Sequence, residues 1–276
     1  MNLHAVVLNW NGGDDTLAAL ESLRGTPSIC VDNGSTDGSD RAVEERFPDV
    51  EVLRLGENRG FAGGNNAGIR RALERGADWV LLLNNDAVAR PGLAAALARA
   101  ARPDAGLLAC HVLYPDGRVQ YAGARVRARL GYSGRSWTSP RGSVVDRADG
   151  AAMAVSRVAV ERAGLLDEDL FAYVEDVEWS LRIRGAGFEV VYVADAVVVH
   201  KGSASTGGAA STANLYYDTR NTIVVCERYA ALPRGLRALR RAVIVGAHIA
   251  QRPRGMHAVL EGWRDARAGR LGQRSR

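Results

Sequence analysis

The chain has 276 residues, 47% of them hydrophobic and 24% charged, a globular balance that excludes wholesale disorder and suits one large α/β domain or a domain of about 200 residues with an appendage. No apolar run approaches the roughly 20 residues needed to span a bilayer, which excludes a transmembrane protein. The net charge of +5 is uneven: from Pro233 onward eleven arginines face only Glu261 and Asp265, a local balance of +9 that leaves the rest at −4. Three widely spaced cysteines, Cys30, Cys110 and Cys226, fit neither a disulfide framework nor a metal knuckle and point to a reducing cytoplasm. Strand-like sequence from Leu3 leaves no room for a signal peptide.

Leu3 to Asn9 is β-branched and hardly alternates, as a buried parallel strand does. Asn11-Gly12-Gly13 breaks it, and Asp14 or Asp15 can cap a helix carrying Leu17, Leu20 and Leu23. Ser28 to Val31 forms a second strand ending in Asp32-Asn33-Gly34-Ser35, followed by a helix from about Asp40 to Phe47 and a strand from Val50 to Leu55. A glycine-rich loop from Gly56 to Asn66 runs into a helix through Leu73, and Trp79 to Leu83 is a central strand that ends in Asn84-Asn85-Asp86. This β-α order predicts a parallel sheet with right-handed crossovers.

Pro91 is placed to begin a helix through Ala100, and Gly106 to Leu113 reads as a strand. Residues from Tyr114 to Val145 are rich in Arg, Gly and Ser and read as hairpins and loops. Gly150 to Ser156 reads as a strand, Arg157 to Ala163 as a short helix, and Glu175 to Arg182 as a helix closed by Gly185 or Gly187. Val190 to Val199 is a strand ending at His200. A helix from about Ala210 to Tyr229 precedes two tail helices separated near Pro253.

Asn9, Asp32 and Asp86 all stand at ends of parallel strands, on the sheet edge where open α/β folds bind ligands. Each alone reads equally well as a capped turn. Gly60, Gly63 and Gly64 would let backbone approach a ligand, with a helix N-terminus behind them that favours anions. Their spacing is not the dinucleotide fingerprint, and no Walker A loop exists, which argues against a Rossmann dehydrogenase and a P-loop kinase. Asp86 with His200 supplies one hard oxygen and one imidazole, a set that suits Mg²⁺ or Mn²⁺ completed by phosphates and water. Glu175, Asp176 and Glu178 crowd one helix start, where their repulsion raises the pKa of one member as a general base requires.

Val7-Leu8-Asn9-Trp10-Asn11, Val31 to Gly38, Glu57 to Asn65, Leu83 to Asp86, Phe171 to Arg182, His200 and Tyr216 to Asn221 stand in one order. In this set the chain resembles family 2 glycosyltransferases of the GT-A fold, particularly rhamnosyltransferase-like and galactofuranosyltransferase-like members, over about residues 3 to 225. The tail from Leu260 to Arg270 also looks like the family's.

The resemblance implies a mostly parallel Rossmann-like sheet flanked by helices. Residues 1–230 would form the catalytic domain, with a nucleotide-binding half of about 1–113 and an acceptor half of 114–230. Residues 231–276 would add a basic helical extension. Asp32 would contact the base, with Asn9, Ser35, Asn58, Gly63, Gly64, Asn65 and Asn85 lining the nucleotide pocket. Asp86 and His200 would hold the divalent cation, and Asp176 would deprotonate the acceptor hydroxyl. Gly150, Glu175, Trp179 and Arg182 would position sugar or acceptor. The metal motif reads Asn84-Asn85-Asp86, without the first carboxylate of a full DxD, and the stretch between the first helix and Ser28 is short.

The activity implied is inverting transfer from dTDP-rhamnose or a UDP-sugar to a polysaccharide, lipid-linked or small-molecule acceptor. The alternative is a nucleotide-binding protein on the same fold without transfer. Sugar, linkage and oligomeric state stay open. The basic tail fits either peripheral contact with the cytoplasmic leaflet, through an apolar face such as Ala242 to Ala250, or a cap on the catalytic domain. Trp263 alone among aromatics in the tail argues against nucleic acid.

Overall fold

The computed structural model describes residues 1–135, 139–202 and 211–274. Its first half alternates strictly: β1 (Leu3–Asn9), α1 (Gly13–Glu21), β2 (Ser28–Asp32), α2 (Ser39–Arg46), β3 (Glu51–Arg54), α3 (Gly60–Glu74) and β4 (Trp79–Asn84). There follow β5 (Ala87–Ala89), α4 (Leu93–Ala100), β6 (Ala105–Leu113), β7 (Val119–Tyr121), β8 (Ala124–Arg127), β9 (Tyr132–Arg135), β10 (Val144–Val145) and β11 (Ala152–Ser156). The chain then forms α5 (Arg157–Ala163), α6 (Glu175–Gly185), β12 (Glu189–His200), α7 (Thr212–Tyr229), α8 (Arg234–Gln251) and α9 (Met256–Ala268). The expected start of the α7 helix, Ala210, lies outside the described residues.

The main sheet has the strand order β10-β12-β6-β11-β4-β1-β2-β3. β1 runs parallel to β2 and β4, and β2 parallel to β3, as the β-α alternation predicts. β11 departs from that pattern: it is antiparallel to both β4 and β6. Its sequence, Ala-Met-Ala-Val-Ser, is buried throughout and carries no mark of direction. The reversal has a functional result. Ala152 pairs with Leu83, so the segment entering β11 arrives at the same edge where β4 releases Asp86.

Alternate residues of each strand face different layers. Val6, Val80 and Leu82 pack beneath α3, α5 and α6, while Ala5, Val7, Leu81 and Leu83 pack beneath α1, α2 and α4. Contact between α3 and β1 is unusually close. A Cβ at Gly64 would stand 2.4 Å from Leu8 Cδ1, and one at Gly68 would stand 2.3 Å from Val6 Cγ1. The glycine stretch is therefore the first turns of α3, which begins at Gly60, and not a loop ahead of it.

The C-terminal helices pack against α7. Leu215, Tyr216 and Tyr217 bury together with Ala258 and Val259, and a Cβ at Gly262 would stand 2.5 Å from the Tyr216 carbonyl. On α8, Ile244 is buried and Arg240 turns inward, donating from Nη1 to the carbonyls of Ala230 (2.7 Å) and Ala128 (3.2 Å). Among the described residues no helix is long and apolar enough to cross a membrane.

Candidate active site

The ends of β1 and β2 are tied together by amides. Asn9 is fully buried; its Nδ2 reaches Asp32 Oδ1 (3.2 Å), Ser35 Oγ (3.1 Å) and Ser39 Oγ (2.8 Å), and its Oδ1 accepts from Gly12 N and Thr16 Oγ1. Asn33, which no sequence reading singled out, donates to Asn58 Oδ1 and the Gly60 carbonyl and accepts from Arg59 N. Asn58 Oδ1 in turn accepts from Gly60 N at 2.8 Å. Asp32 Oδ2 accepts from Ser35 N at 3.3 Å. The expected pocket residues thus gather at one place.

Several of them are spent on the protein itself. Asn9 has both ends of its amide engaged, and Asn65 is buried with Nδ2 on the Phe61 carbonyl. Asn85 is buried behind the first loop, 3.5 Å from Thr16 Oγ1. Gly63 and Gly64 face Arg59 and Leu8, so helix packing, not close approach of a ligand, demands glycine there.

Across the sheet edge, β12 folds its last residues back on β5, pairing His200 with Ala87. This places His200 Nε2 3.1 Å from Asp86 Oδ1, both side chains being buried. Gln120, unforeseen from sequence, lies 3.1 Å from His200 Nδ1 through its Oε1, and Asn84 Nδ2 lies 3.4 Å from Nε2. An imidazole nitrogen and a carboxylate oxygen thus stand side by side, a donor pair of the kind a divalent cation takes. Among the described residues no group of three or more His, Cys, Asp and Glu could hold a metal, so a cation placed between Asp86 and His200 would need further oxygens from a bound ligand or water.

The opposite wall is built around the start of α6. Asp176 Oδ2 accepts from Arg147 Nη1 (3.0 Å) and Gly150 N (3.1 Å), and its Oδ1 from Val177 N (2.7 Å). Burial pushes the Asp176 carboxyl up, while Arg147 and the two N–H donors pull it down. Glu175 beside it is 5% exposed, its Oε2 has no hydrogen-bond partner, and burial followed by the Asp176 charge pushes its pKa up to about 8. Arg147 was not visible as a site residue, because it sits in an irregular stretch among many arginines.

The approach to α6 is held in unusual backbone. Phe171, Tyr173 and Val174 have φ of 63°, 66° and 70°, a region that bulky and β-branched residues avoid. Helix α7 holds this turn in place: Asn221 Nδ2 donates to the carbonyls of Leu170 (2.9 Å), Ala172 (2.9 Å) and Tyr173 (2.7 Å), and Arg220 Nη2 donates to Leu170 O at 3.0 Å. Phe171 stacks on Tyr217 with ring centres 5.3 Å apart.

Two expected acceptor residues lie elsewhere. Trp179 is completely buried, with Nε1 donating to the Gly164 carbonyl, and belongs to the core. Arg182 clamps the turn after α5 through the carbonyls of Ala163 and Leu165 and pairs with Glu178. Both reach toward the end of α5 and the turn after it rather than into the cleft.

One cavity of about 590 Å³ joins the two walls. Asp86, His200, Gly150, Glu175 and Asp176 line it, and it continues beneath α7 and α8 to Asp218, His248 and Gln251. Asn9, Asp32 and Ser35 are not among its lining residues; they occupy the adjoining strand ends. The model for glycosyl transferase family 2 matches residues 5–159, over half of the sequence.

The chain belongs to glycosyl transferase family 2.

This glycosyltransferase is 34% identical over 218 residues to an N-acetylglucosaminyl-diphospho-decaprenol L-rhamnosyltransferase of Mycobacterium tuberculosis, covering 68% of this chain and 71% of the relative. It is 26% identical to the dTDP-rhamnosyl transferase RfbF of Shigella flexneri, covering 72% and 69%. Its fold is GT-A, shared with a mannosyltransferase from Pyrobaculum calidifontis in complex with GDP-Man and Mn²⁺ (TM-score 0.61, 20% identity, 97% of this chain and 75% of that one). S. aureus TarS in complex with UDP-GlcNAc matches similarly (TM-score 0.61, 16% identity, 96% and 81%).

Proposed function

We propose that this glycosyltransferase moves rhamnose from dTDP-rhamnose, or a sugar from a UDP-sugar, to a hydroxyl of a lipid-linked acceptor in cell-surface polysaccharide synthesis, inverting the anomeric carbon. The observation that carries the reading is the single cavity with Asp86 and His200 on one wall and Asp176 on the other. The names of the M. tuberculosis and S. flexneri relatives support rhamnose and a polyprenyl diphosphate acceptor.

In this reading residues 1–113 bind the nucleotide, with Asp32 at the base and Asn9, Asn33 and Asn58 holding its loop in shape. Residues 114–230 hold the acceptor, and 231–276 cap it. Asp86 and His200 would hold Mg²⁺ or Mn²⁺, which when bound would supply positive charge for the leaving diphosphate. Asp176 takes the acceptor hydroxyl proton as the oxygen forms its bond to the anomeric carbon, and the electron pair of the breaking glycosyl bond leaves on the diphosphate. Arg147 and Gly150 N aim the carboxylate, and neutral Glu175 offers a donor hydrogen to a sugar or acceptor oxygen. The site works at the cytoplasmic face of the membrane.

Thermal-shift screening of nucleotide-sugars with and without Mn²⁺, followed by transfer to polyprenyl-diphosphate-linked N-acetylglucosamine, tests the reading. dTDP-rhamnose should stabilise most with Mn²⁺ and be consumed with the acceptor. Asp176→Asn should abolish transfer while donor binding stays within about twofold of the parent. Donor binding indifferent to metal, with no turnover, would overturn it in favour of a nucleotide-binding protein; turnover only with small-molecule acceptors would move the acceptor class.

A further inference from the structure

Helix α8 is exposed along the face where a surface helix ordinarily carries its charges. Between Gly235 and Ala250 the exposed residues are Gly235, Leu236, Ala238, Leu239, Ala242, Val243, Gly246, Ala247 and Ala250, with no charge and no hydrogen-bonding side chain. Leu236, Leu239 and Val243 stand 53%, 61% and 54% exposed at spacings of three and four, so they form one stripe. Leu130, 62% exposed, adjoins this helix: its neighbour Gly131 lies so close to the inner side of α8 that a Cβ there would be 2.5 Å from Ile244 Cγ1.

Charge around this stripe is mainly basic, with Arg241 paired to Glu227 of α7. No carboxylate occurs between Glu227 and Glu261, while Arg234, Arg237, Arg241 and Arg254 lie along or beyond the helix, and Arg127 and Arg129 flank Leu130. Arg234, Arg254, Arg127 and Arg129 are exposed. An apolar stripe bordered by arginine is complementary to the acyl boundary and headgroups of an anionic bilayer. A second copy of the chain fits poorly, since a two-fold contact along α8 would set each arginine border against its own copy.

We infer that the outer face of α8, with Leu130, is an anionic-membrane docking surface that seats the cavity mouth at the lipid headgroups. The same helix turns His248 and Gln251 into the cavity, so the docked stripe and the substrate space lie on opposite sides of one helix, about 10 Å across. A lipid-linked acceptor could then enter without leaving the bilayer surface. That last step rests on the acceptor reading above, whereas the lipid contact rests on α8 alone.

The test is flotation of the full-length protein with phosphatidylcholine vesicles containing or lacking 30% phosphatidylglycerol, a composition chosen to be roughly as anionic as a bacterial leaflet. The parent should float with the anionic vesicles, at least tenfold more than with neutral ones, and 0.5 M salt should release most of it (roughly the screening limit). Leu239→Glu with Val243→Glu should reduce the bound fraction at least tenfold; both positions are exposed, so the melting temperature should hold. Transfer to a short-chain soluble acceptor should be unchanged in that variant, which separates docking from catalysis. Parent protein left in the supernatant, or a double variant that floats as well as the parent, overturns the inference. A dimer in sedimentation that the double variant dissociates, with no flotation, would assign the face to a second copy instead.

Discussion

Arg147 Nη1 lies 3.0 Å from Asp176 Oδ2, with the two side chains only 7% and 15% exposed. In this dry setting the guanidinium works against the upward push of burial on the carboxyl and fixes its direction; Asp149, 3.8 Å away, shares the same cation. Removing the cation leaves burial opposed only by the Gly150 and Val177 N–H donors, so the Asp176 pKa rises further. Arg147→Met should move the acid limb of kcat/KM upward by about one pH unit or more and lower kcat roughly 10- to 100-fold at pH 7. Arg147→Lys should recover part of both. The acid limb is the deciding measurement: a loss of rate with an unmoved limb would reduce Arg147 to a packing role.

Glu175 gives a stability prediction with a definite sign. Burial pushes its pKa up to about 8 from an ordinary 4.5, so its folded form resists ionisation. A raised folded pKa contributes stability that is complete below the unfolded value and is lost as pH rises through the folded one. Glu175→Gln keeps the neutral shape and cannot ionise. The two proteins should melt alike at pH 4.5, and the variant should gain steadily on the parent up to about pH 8, then hold its lead. Thermal melts across that range check it; parallel curves would mean that Glu175 is ionised in the fold.

The turn from Leu170 to Val174 presents Glu175 and Asp176 in a conformation that its own residues disfavour, and α7 supplies the compensation. Asn221→Ala removes three donor contacts at once. A loss of about 1–3 kcal/mol is expected from the buried carbonyls left without a partner. Because the turn carries the proposed base and not the proposed nucleotide loops, kcat and acceptor KM should suffer while nucleotide affinity stays within about twofold. Denaturant melts and donor titration together distinguish this from general unfolding.

What could be read from sequence followed from position along strands. Asp32, Asp86 and His200 stand where apolar runs stop, Asp176 stands in the acidic first turn of α6, and the parallel order of the first four strands puts Asp32 and Asp86 on one edge without tertiary information. Burial was the invisible quantity. Asn9 and Asn65 look like ligand contacts, yet their amides satisfy neighbouring backbone and hydroxyls. Gly63 and Gly64 were ascribed to a ligand when helix packing claims them. Trp179 shares the motif with Asp176 but is fully buried, its Nε1 on the Gly164 carbonyl. Arg147 lies in an irregular segment and Gln120 in the three-residue strand β7, both too short of periodicity to read, so only the reversed strand β11 and the return of β12 to β5 reveal them.

Gln120 bears on the last prediction, because it fixes the His200 ring through Nδ1 and so decides which nitrogen faces Asp86. A metal-ligating imidazole commonly has such an outer partner, and losing it costs roughly 10- to 100-fold in metal affinity. Mn²⁺ should raise the melting temperature of the parent in the presence of dTDP, and a chelator should reverse the gain. Asp86→Ala should remove the Mn²⁺-dependent part altogether. Gln120→Leu should keep it but shift the Mn²⁺ titration to about tenfold higher concentration or more, with both ligands still in place. An unshifted titration in Gln120→Leu would show the ring to be held by Asp86 and Asn84 alone, and an Mn²⁺ gain that survives Asp86→Ala would place the cation elsewhere.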